Sequence, residues 1–407
     1  MRDPRLFLKK SPIRKSIGIA LASALSAGVA AVVYLRAGAP KGIHAVSQDR
    51  SDPAKDHFPD KARVRYAKGF SIRYSKTHKV VDVFNPFSAS PDTMRYVLVP
   101  RGKPVPPGFE KAMKVEIPVR TLACLSTTHV GLTDFLGIND RIIAMSDTGR
   151  VLNQDVIARI RAGKITEVGR EQGLNRELVL TLAPDMLMTV GFPGKEIGSF
   201  QALTESGIAV VTNSEWMETS LLGRMEWVKL LAAFVDGEGL AERKFDSIEA
   251  KYEEVRRIAA GAEKKPKVIG GICRKGVWTV PGGRSYVAAL LRDAGADYPF
   301  AGDTSTGSRN LGFETVYREG LEAEFWLNAG WAKSLKDISD EDKRYADFKC
   351  FKAKRVFSNT KRMGANGSND YWESGLVNPH LILLDLVRVL HPELLPHHEL
   401  FYTRMLE

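Results

Sequence analysis

Residues 176–190, RELVLTLAPDMLMTV, contain the pattern that decides the fold. Apolar residues at helical spacing lead into Ala183-Pro184-Asp185, and five mostly apolar residues follow at 186–190. Proline disfavours helical backbone in the residue before it, and an Asp side chain can bond the local backbone of a turn. The stretch therefore predicts a helix at 176–182, a turn, and a strand at 186–190 that is buried in a parallel sheet.

The same alternation of short strands and helices continues on both sides of this stretch. In the first half it predicts strands at 119–125, 141–145 and 208–212, and helices at 130–136 and 196–206. In the last third it predicts strands at 268–272, 325–327 and 356–357, and helices at 286–294 and 381–390. Strands divided by helices of this length are typical of an α/β fold with parallel sheets. We therefore predict two Rossmann-like α/β lobes.

A long helical region separates the two lobes. Its first apolar stripe comprises Trp227, Leu230, Leu231 and Phe234, and its second comprises Phe245, Ile248, Tyr252, Val255 and Ala259. The second series repeats at intervals of three and four residues, which places it on one face of an amphipathic helix. The proline of Lys264-Lys265-Pro266 ends the helix. We predict lobes at 61–222 and 264–407, joined by a long linker helix at 223–263.

The first 60 residues have the composition of an export segment and a tether. Six of residues 2–15 are Lys or Arg, and the 20 residues from Ser16 to Leu35 carry no charge. A positive flank before an apolar stretch is typical of an export signal, and 20 residues are also enough to span a bilayer. We predict a signal or membrane anchor at 1–36 and a polar tether at 37–60. Localisation in the periplasm follows, with residues 16–35 as the inner-membrane anchor if the leader is not cleaved.

Alternating apolar and polar residues follow the tether. They occur at 70–74, 80–84 and 96–99, and turn residues separate the three runs. This pattern predicts a small antiparallel β segment at the start of the N-terminal lobe.

The charge distribution argues against a nucleic-acid partner. The formal net charge is +11, but residues 1–120 contain 23 Lys and Arg against 9 Asp and Glu. The remaining residues contain 36 basic and 39 acidic side chains. A nucleic-acid-binding protein would carry its positive potential on the folded body, which is nearly neutral here.

The sequence lacks the common catalytic and metal-binding motifs. It contains no Gly-x-Ser-x-Gly elbow, no His-Glu-x-x-His and no Cys-x-x-Cys, and its eight histidines are scattered. Cys124 and Cys273 lie in apolar runs and are predicted to be small core residues. The motifs therefore give no support for an enzyme, a metal site or a resident cofactor, and we predict none of the three. An enzyme with a metal cofactor and an anchored ligand sensor remain alternatives, because both use two-lobed folds of this kind.

Several sequence blocks resemble the helical-backbone class of substrate-binding proteins that serve ABC importers of iron-siderophores, heme and cobalamin. The blocks are LSTTH at 125–129, LGI at 136–138, LTLAPDMLM at 180–188, WTVPGG at 278–283 and NDYWE at 369–373. The resemblance covers roughly residues 115–395, so the segment 60–115 lies outside it. It implies a small-molecule metal chelate as ligand, an ABC importer permease with its ATPase as partner, and modest motion between the lobes. We also expect a monomer.

In this family the ligand is expected between the lobes, where strand ends and helix N-termini face each other. The candidate ligand-binding residues are Ser126, Thr127, Thr128 and His129 in the N-terminal lobe, and Trp278, Arg284, Ser285, Tyr286, Trp331, Tyr371 and Trp372 in the C-terminal lobe. Trp and Tyr offer flat apolar area to a chelate, and Arg offers a planar fork to carboxylates. A ferric siderophore is the favoured ligand, with heme and cobalamin as alternatives.

The resemblance also implies one permease-docking carboxylate on each lobe. Glu196 and Glu314 occupy the corresponding positions, and Glu215 and Glu218 compete with Glu196 on the N-terminal lobe. Charge-assisted pairs of this kind fix orientation and raise encounter rates.

Overall fold

The computed structural model describes residues 56–87, 93–170, 173–191, 200–271, 273–330 and 332–407. Several predicted features lie outside these ranges: the signal or anchor at 1–36, residues 37–55 of the tether, Glu196 and Trp331. None of the helices within the ranges combines the length and the apolar character needed to cross a bilayer.

The first sheet lies at the start of the described chain. Its strands are β1 (Phe70–Tyr74), β2 (Lys79–Phe84), β3 (Thr93–Pro100) and β4 (Met113–Ile117), in the order β1-β2-β3-β4. The three predicted strands are confirmed, but the sheet is not wholly antiparallel, because β4 pairs parallel to β3. A parallel pair needs a crossover instead of a tight turn, and residues 101–112 provide it.

The N-terminal lobe is built on a five-stranded parallel sheet. Its strands are β5 (Leu122–Cys124), β6 (Ile142–Met145), β7 (Thr166–Glu167), β8 (Met186–Val190) and β9 (Ala209–Asn213), in the order β7-β6-β5-β8-β9. Its helices are α1 (Thr127–Leu136), α2 (Gln154–Arg161), α3 (Arg176–Leu182) and α4 (Gln201–Glu205). Helix α3 and strand β8 have the bounds predicted from residues 176–190. The buried cysteine predicted at position 124 is confirmed.

Two helices follow where one linker helix was predicted. They are α5 (Leu221–Val235) and α6 (Glu238–Ala260), and Asp236 between them has a left-handed backbone with φ 57°. Every residue of α5 is buried, so this helix belongs to the core of the fold. In α6 the buried residues include Phe245, Tyr252, Val255 and Ala259, which confirms the predicted apolar stripe.

The C-terminal lobe contains a second sheet and a separate small one. Strands β10 (Val268–Gly270), β14 (Phe325–Leu327), β15 (Val356–Ser358) and β16 (Arg404–Met405) form a sheet in that order, and only β16 is antiparallel to its neighbour. Strands β11 (Cys273–Arg274), β12 (Val277–Pro281) and β13 (Ser308–Gly312) form an antiparallel sheet. The helices are α7 (Tyr286–Asp293), α8 (Phe313–Gly320), α9 (Leu335–Glu341), α10 (Lys349–Lys352), α11 (Asp370–Glu373) and α12 (Pro379–Leu390). The predicted two-lobed α/β fold is confirmed.

Two buried carboxylates fasten the chain that precedes the first sheet to α5. The Glu226 carboxylate accepts hydrogen bonds from the backbone N–H groups of Arg65, Tyr66 and Ala67 at 2.6–3.0 Å. The Glu218 carboxylate accepts the N–H groups of Lys68 and Gly69 at 2.9–3.1 Å. A buried charge needs such partners, because desolvation is otherwise expensive. The segment before the first sheet is therefore part of the folded body.

Candidate functional site

The carboxyl ends of β5 and β6 open into a cavity of about 300 Å³. Because the two strands are parallel neighbours, the residues that follow them meet at one edge of the sheet. The lining residues are Leu125, Ser126, Thr127, Ser146, Asp147, Arg150 and Arg170. Polar groups at this edge can contact a ligand that lies between the lobes.

Two arginines make this wall of the cleft cationic. Arg150 Nε lies 2.9 Å from Asp147 Oδ2, and Arg170 Nη2 lies 2.8 Å from the same oxygen. Their side chains remain 53% and 67% exposed, so both guanidinium groups keep surface that a ligand can reach. Two positive charges share one negative charge, and guanidinium forks suit carboxylate and other planar oxyanions. The wall therefore favours an anionic ligand.

A larger cavity of about 680 Å³ lies between the two lobes. The N-terminal lobe contributes Leu152, Asn153 and Gln154, which directly continue the loop that lines the first cavity. The C-terminal lobe contributes Lys361, Arg362, Met363, Asp370, Glu373, Ser374, Asn378, Leu381, Phe401 and Tyr402. Both lobes thus line one space, and this arrangement suits capture of a small molecule by two walls.

Two of the predicted residues of the serine-rich turn lie at the mouth of the first cavity. Ser126 precedes α1, and its Oγ accepts the N–H of Thr128 at 3.2 Å. The hydroxyls of Ser126 and Thr128 are 2.9 Å apart. Ser126 and Thr127 line the cavity. The helix cap fixes the turn, so the hydroxyl groups of Ser126 and Thr127 are held at the cleft.

His129 does not reach the cleft surface. Its side chain is fully buried, and neither ring nitrogen has a hydrogen-bond partner among the described residues. Burial lowers the pKa of His129 to about 3, so the ring is neutral at physiological pH. This burial argues against the predicted ligand contact of His129.

Trp278 and Ser285 belong to the interior of the C-terminal lobe. The Trp278 indole stacks on Trp326 with ring centroids 5.6 Å apart, and its Nε1 donates to the carbonyl of Gly270 at 3.0 Å. Ser285 is 2% exposed and caps α7 by accepting the N–H of Ala288. The alternation of β12 turns Trp278 inward, so its burial argues against the predicted ligand contact, as does that of Ser285.

Tyr286 is also nearly buried, and its ring is covered by a charged group. The Arg224 guanidinium lies 4.2 Å from the centre of the Tyr286 ring, and Arg224 Nε lies 3.0 Å from Glu215 Oε2.

Both Glu215 and Glu218 are buried, so neither can serve as the N-lobe docking carboxylate in place of Glu196.

The glycines before α7 are packed against backbone carbonyls and do not form an anion cradle. A Cβ atom at Gly282 would lie 2.4 Å from the Ser305 carbonyl oxygen, and one at Gly283 would lie 2.3 Å from that of Asp303. Only glycine fits such close approaches of backbone. The neighbouring Arg284 is exposed and remains a candidate for contact with a ligand.

The aromatic pair of α11 lies beside the larger cavity. Tyr371 and Trp372 meet edge to face at 4.9 Å, and the Trp372 side chain is 39% exposed. Their neighbours Asp370 and Glu373 line the cavity, together with Met363, which is 43% exposed. Exposed Trp and Met supply apolar area next to the cationic groups. Both predicted residues remain candidates for ligand contact.

Glu314 has the exposure that a docking carboxylate requires. It lies in the first turn of α8, and its side chain is 80% exposed. Its carboxylate is 2.8 Å from Arg344 Nη1, an exposed ion pair that contributes little to stability and can exchange partners.

Several cleft residues were not predicted from the sequence. The prediction of a strand at 141–145 could have indicated the residues 146–150, because ligands bind beyond the carboxyl ends of parallel strands. Arg170 follows β7, which has only two residues and therefore no recognisable pattern. Arg362 and Glu373 come from a loop and a four-residue helix after β15, where no periodic signal exists.

The chain was compared with protein families and with known relatives. The family model described as periplasmic binding protein matches residues 122–362. An uncharacterized lipoprotein of Methanocaldococcus jannaschii is 25% identical over 352 residues, covering 81% of this chain and 82% of that protein. A second uncharacterized lipoprotein of that organism is 22% identical over 337 residues, covering 79% and 83%.

Solved structures show the same fold. A periplasmic binding protein of Veillonella parvula superposes with a TM-score of 0.56 at 12% identity, covering 78% of this chain and 99% of that one. CeuE of Helicobacter pylori with Ni(II) bound gives 0.53 at 18% identity, covering 70% and 88%. At these identities the likeness concerns the fold alone.

Proposed function

Since the chain belongs to the periplasmic binding protein family, we propose that it captures a small metal chelate between its lobes and delivers it to the permease of an ABC importer. The observation that carries the proposal is the cavity of about 680 Å³ lined by both lobes. Its size falls within the range of cavities that enclose small ligands. Binding, without chemical change of the ligand, is the activity that this space supports.

The charges and aromatic groups of the cleft support an anionic chelate. Arg150 and Arg170 lie on the N-terminal wall, and Arg362 lies on the C-terminal wall. Guanidinium groups bind carboxylate and catecholate oxygens, while Trp372 offers a flat apolar face. A ferric siderophore combines both properties, so it is the favoured ligand, ahead of heme and cobalamin.

The remaining parts of the chain suit delivery at a membrane. Glu314 is an exposed carboxylate on the C-terminal lobe, and Glu196 is its proposed counterpart on the N-terminal lobe. The apolar residues 16–35 are proposed to hold the protein at the inner membrane as a signal or anchor, on the periplasmic side. The proposed partner is a permease with its ATPase.

The proposal is tested by fluorescence titration of the full-length chain in lipid nanodiscs. Hemin, cobalamin and several ferric siderophores are added separately, and tryptophan emission is followed. We expect saturable quenching at one ligand per chain by an anionic ferric siderophore, with no change in the recovered ligand. Absence of saturable binding by every chelate would contradict the proposal, and conversion of a chelate would indicate an enzyme.

Reversing the two docking carboxylates should stop transport without weakening ligand binding. The two carboxylates are proposed to pair with cationic groups of the permease. In the double variant Glu196→Lys/Glu314→Lys, lysines would face those cations, and like charges at an interface cost several kcal/mol. We expect uptake of the titrated ligand to fall at least tenfold in cells that carry this variant as their sole copy. The matched control reverses Glu254 and Glu399, two exposed carboxylates that have no docking role in the proposal. Equal uptake by both variants would contradict the docking assignment.

A further inference from the structure

The two lobes are in contact at a buried carboxylate, that of Glu373, to which the proposed function gives no role. Glu373, at the end of α11 in the C-terminal lobe, is 4% exposed. Its Oε2 accepts the backbone N–H of Leu152 at 2.9 Å, and its Oε1 accepts that of Asn153 at 2.6 Å. Both N–H groups belong to the N-terminal lobe, at the start of α2. One side chain thus bridges the lobes through two hydrogen bonds to backbone N–H groups.

The backbone around Glu373 approaches the N-terminal lobe as closely as its side chain does. A Cβ atom at Gly131 in α1 would lie 2.1 Å from the Glu373 carbonyl oxygen. Only a glycine at this position lets α11 reach α1. The lobes are therefore in direct contact at the edge of the larger cavity, which Glu373 and Asn153 both line.

We propose that Glu373 is a positioning residue that holds the two lobes in the arrangement seen here and so sets the width of the ligand cleft. This inference rests on the proposed function, because a cleft of fixed width matters to a binding protein. When the two hydrogen bonds are lost, α2 and α11 separate and the cavity between them widens. We name the contact of Glu373 with Leu152 and Asn153 the latch.

The groups around the latch make its strength depend on pH. Burial raises the pKa of Glu373 to about 7, and the negative charges of Asp370 and Asp134 act in the same direction. Asp370 is paired with Arg362 at 2.5 Å, and Asp134 accepts the Asn153 amide at 2.7 Å and has Lys244 in its vicinity. Two carboxylates therefore face Glu373, each with a partner of its own.

The sign of the pH effect follows from the raised pKa. A carboxyl group that is released into solvent returns to its ordinary pKa of 4.5, so closing the latch takes up a proton between that pH and about 7. The latch is strongest in acid and is weakened as pH rises through 7. Between pH 6 and pH 8 the ratio of closed to open latch should fall about tenfold.

The latch is tested by spin-label distance measurements on the full-length chain without ligand. Labels are placed on one exposed residue of each lobe by Lys164→Cys and Lys352→Cys, and the three native cysteines are buried. In the wild-type background we expect a shorter distance at pH 6 and a growing population of longer distances at pH 8. The variant Glu373→Gln carries no charge and keeps one acceptor oxygen for an N–H group, so its label distance should be the same at pH 6 and pH 8. In Glu373→Ala we expect a long distance between the labels at both pH values.

The control variant for the latch experiment, and the results that would overturn the latch, do not depend on any ligand. Glu399→Gln removes an exposed carboxylate from the same lobe and should respond to pH as the wild type does. The same pH response in wild type and Glu373→Gln would overturn the proposal, and so would a Glu373→Ala distance equal to that of the wild type. No ligand is present, so failure here leaves the binding function untouched, and failure of the titration leaves the latch untouched.

Discussion

Replacing Glu226 by alanine is expected to lower the free energy of unfolding by about 3–5 kcal/mol. The Glu226 side chain is fully buried in α5 and accepts three backbone N–H groups from the segment before the first sheet. Lys229 Nζ lies 3.0 Å from it and is fully buried as well. Removing the carboxylate leaves three N–H groups without their acceptor. Among the residues that the structure describes, Lys229 then keeps one counter-ion, Glu242 at 3.0 Å.

The measurement is chemical denaturation of the purified variant beside a matched control. Glu254→Ala removes an exposed glutamate from the neighbouring helix α6, and it should change the free energy of unfolding by less than about 0.5 kcal/mol. Because the segment tied down by Glu226 precedes the first sheet, we expect residues 63–69 to become protease-sensitive in Glu226→Ala. A loss of stability as small as that of the control would contradict the role given to this carboxylate.

Reversing the charge of Arg150 and Arg170 is expected to weaken ligand binding at least 100-fold. The two guanidinium groups are the cations that line the cavity at the ends of β5 and β6. In Arg150→Glu/Arg170→Glu this wall of the cavity carries three carboxylates, including Asp147. An anionic chelate that is attracted by the wild-type wall is therefore repelled by the variant. A factor of 100 corresponds to about 2.8 kcal/mol, within the range of several kcal/mol for like charges placed against each other at an interface.

The control for this variant has the same change in net charge at a distance from the cleft. Arg161→Glu/Lys164→Glu reverses two exposed cations at the other end of α2. Both variants are titrated with the ligand that binds the wild type. The comparison distinguishes the loss of a direct ligand contact from a change in the overall electrostatic potential of the protein. Equal loss of affinity in the two variants would show that Arg150 and Arg170 are not ligand contacts.

The fold could be predicted where local patterns determine it. The helix at 176–182 and the strand at 186–190 carry their own periodicity and their own turn residues, and the structure confirms their bounds. The stripe on α6 was predictable for the same reason. The break between α5 and α6 was not, because Asp236 adopts a left-handed backbone that the sequence marks only by the following glycine.

The cleft was harder to predict because it depends on which distant residues become neighbours. Arg150 and Arg170 meet at Asp147 only because β7, β6 and β5 are adjacent in the sheet. Glu373 reaches partners about 220 residues away in the chain, and no periodic signal links such positions. Trp278 could not be assigned from its type, since an aromatic residue before a glycine turn suits a cleft and a core equally well.

Buried charges were the least predictable feature. Glu226, Lys229 and Lys79 are ordinary surface residues by type, yet all three are fully buried. Apart from the Glu226–Lys229 pair, their partners lie on segments far away in sequence, and the segment 56–117 falls outside the family match at 122–362. The strands of this segment could be predicted from the sequence, but the buried charges that join it to the folded body could be identified only from the structure.

The central claim is that ligand binds between the two lobes, and hydrogen exchange tests it most directly. Backbone exchange is compared in the full-length chain with and without a saturating ligand. The account predicts slower exchange in residues 146–154 and 361–374, which face each other across the cavity, and no change in β12 and β13. Protection confined to other segments, or no protection on either wall, would contradict it.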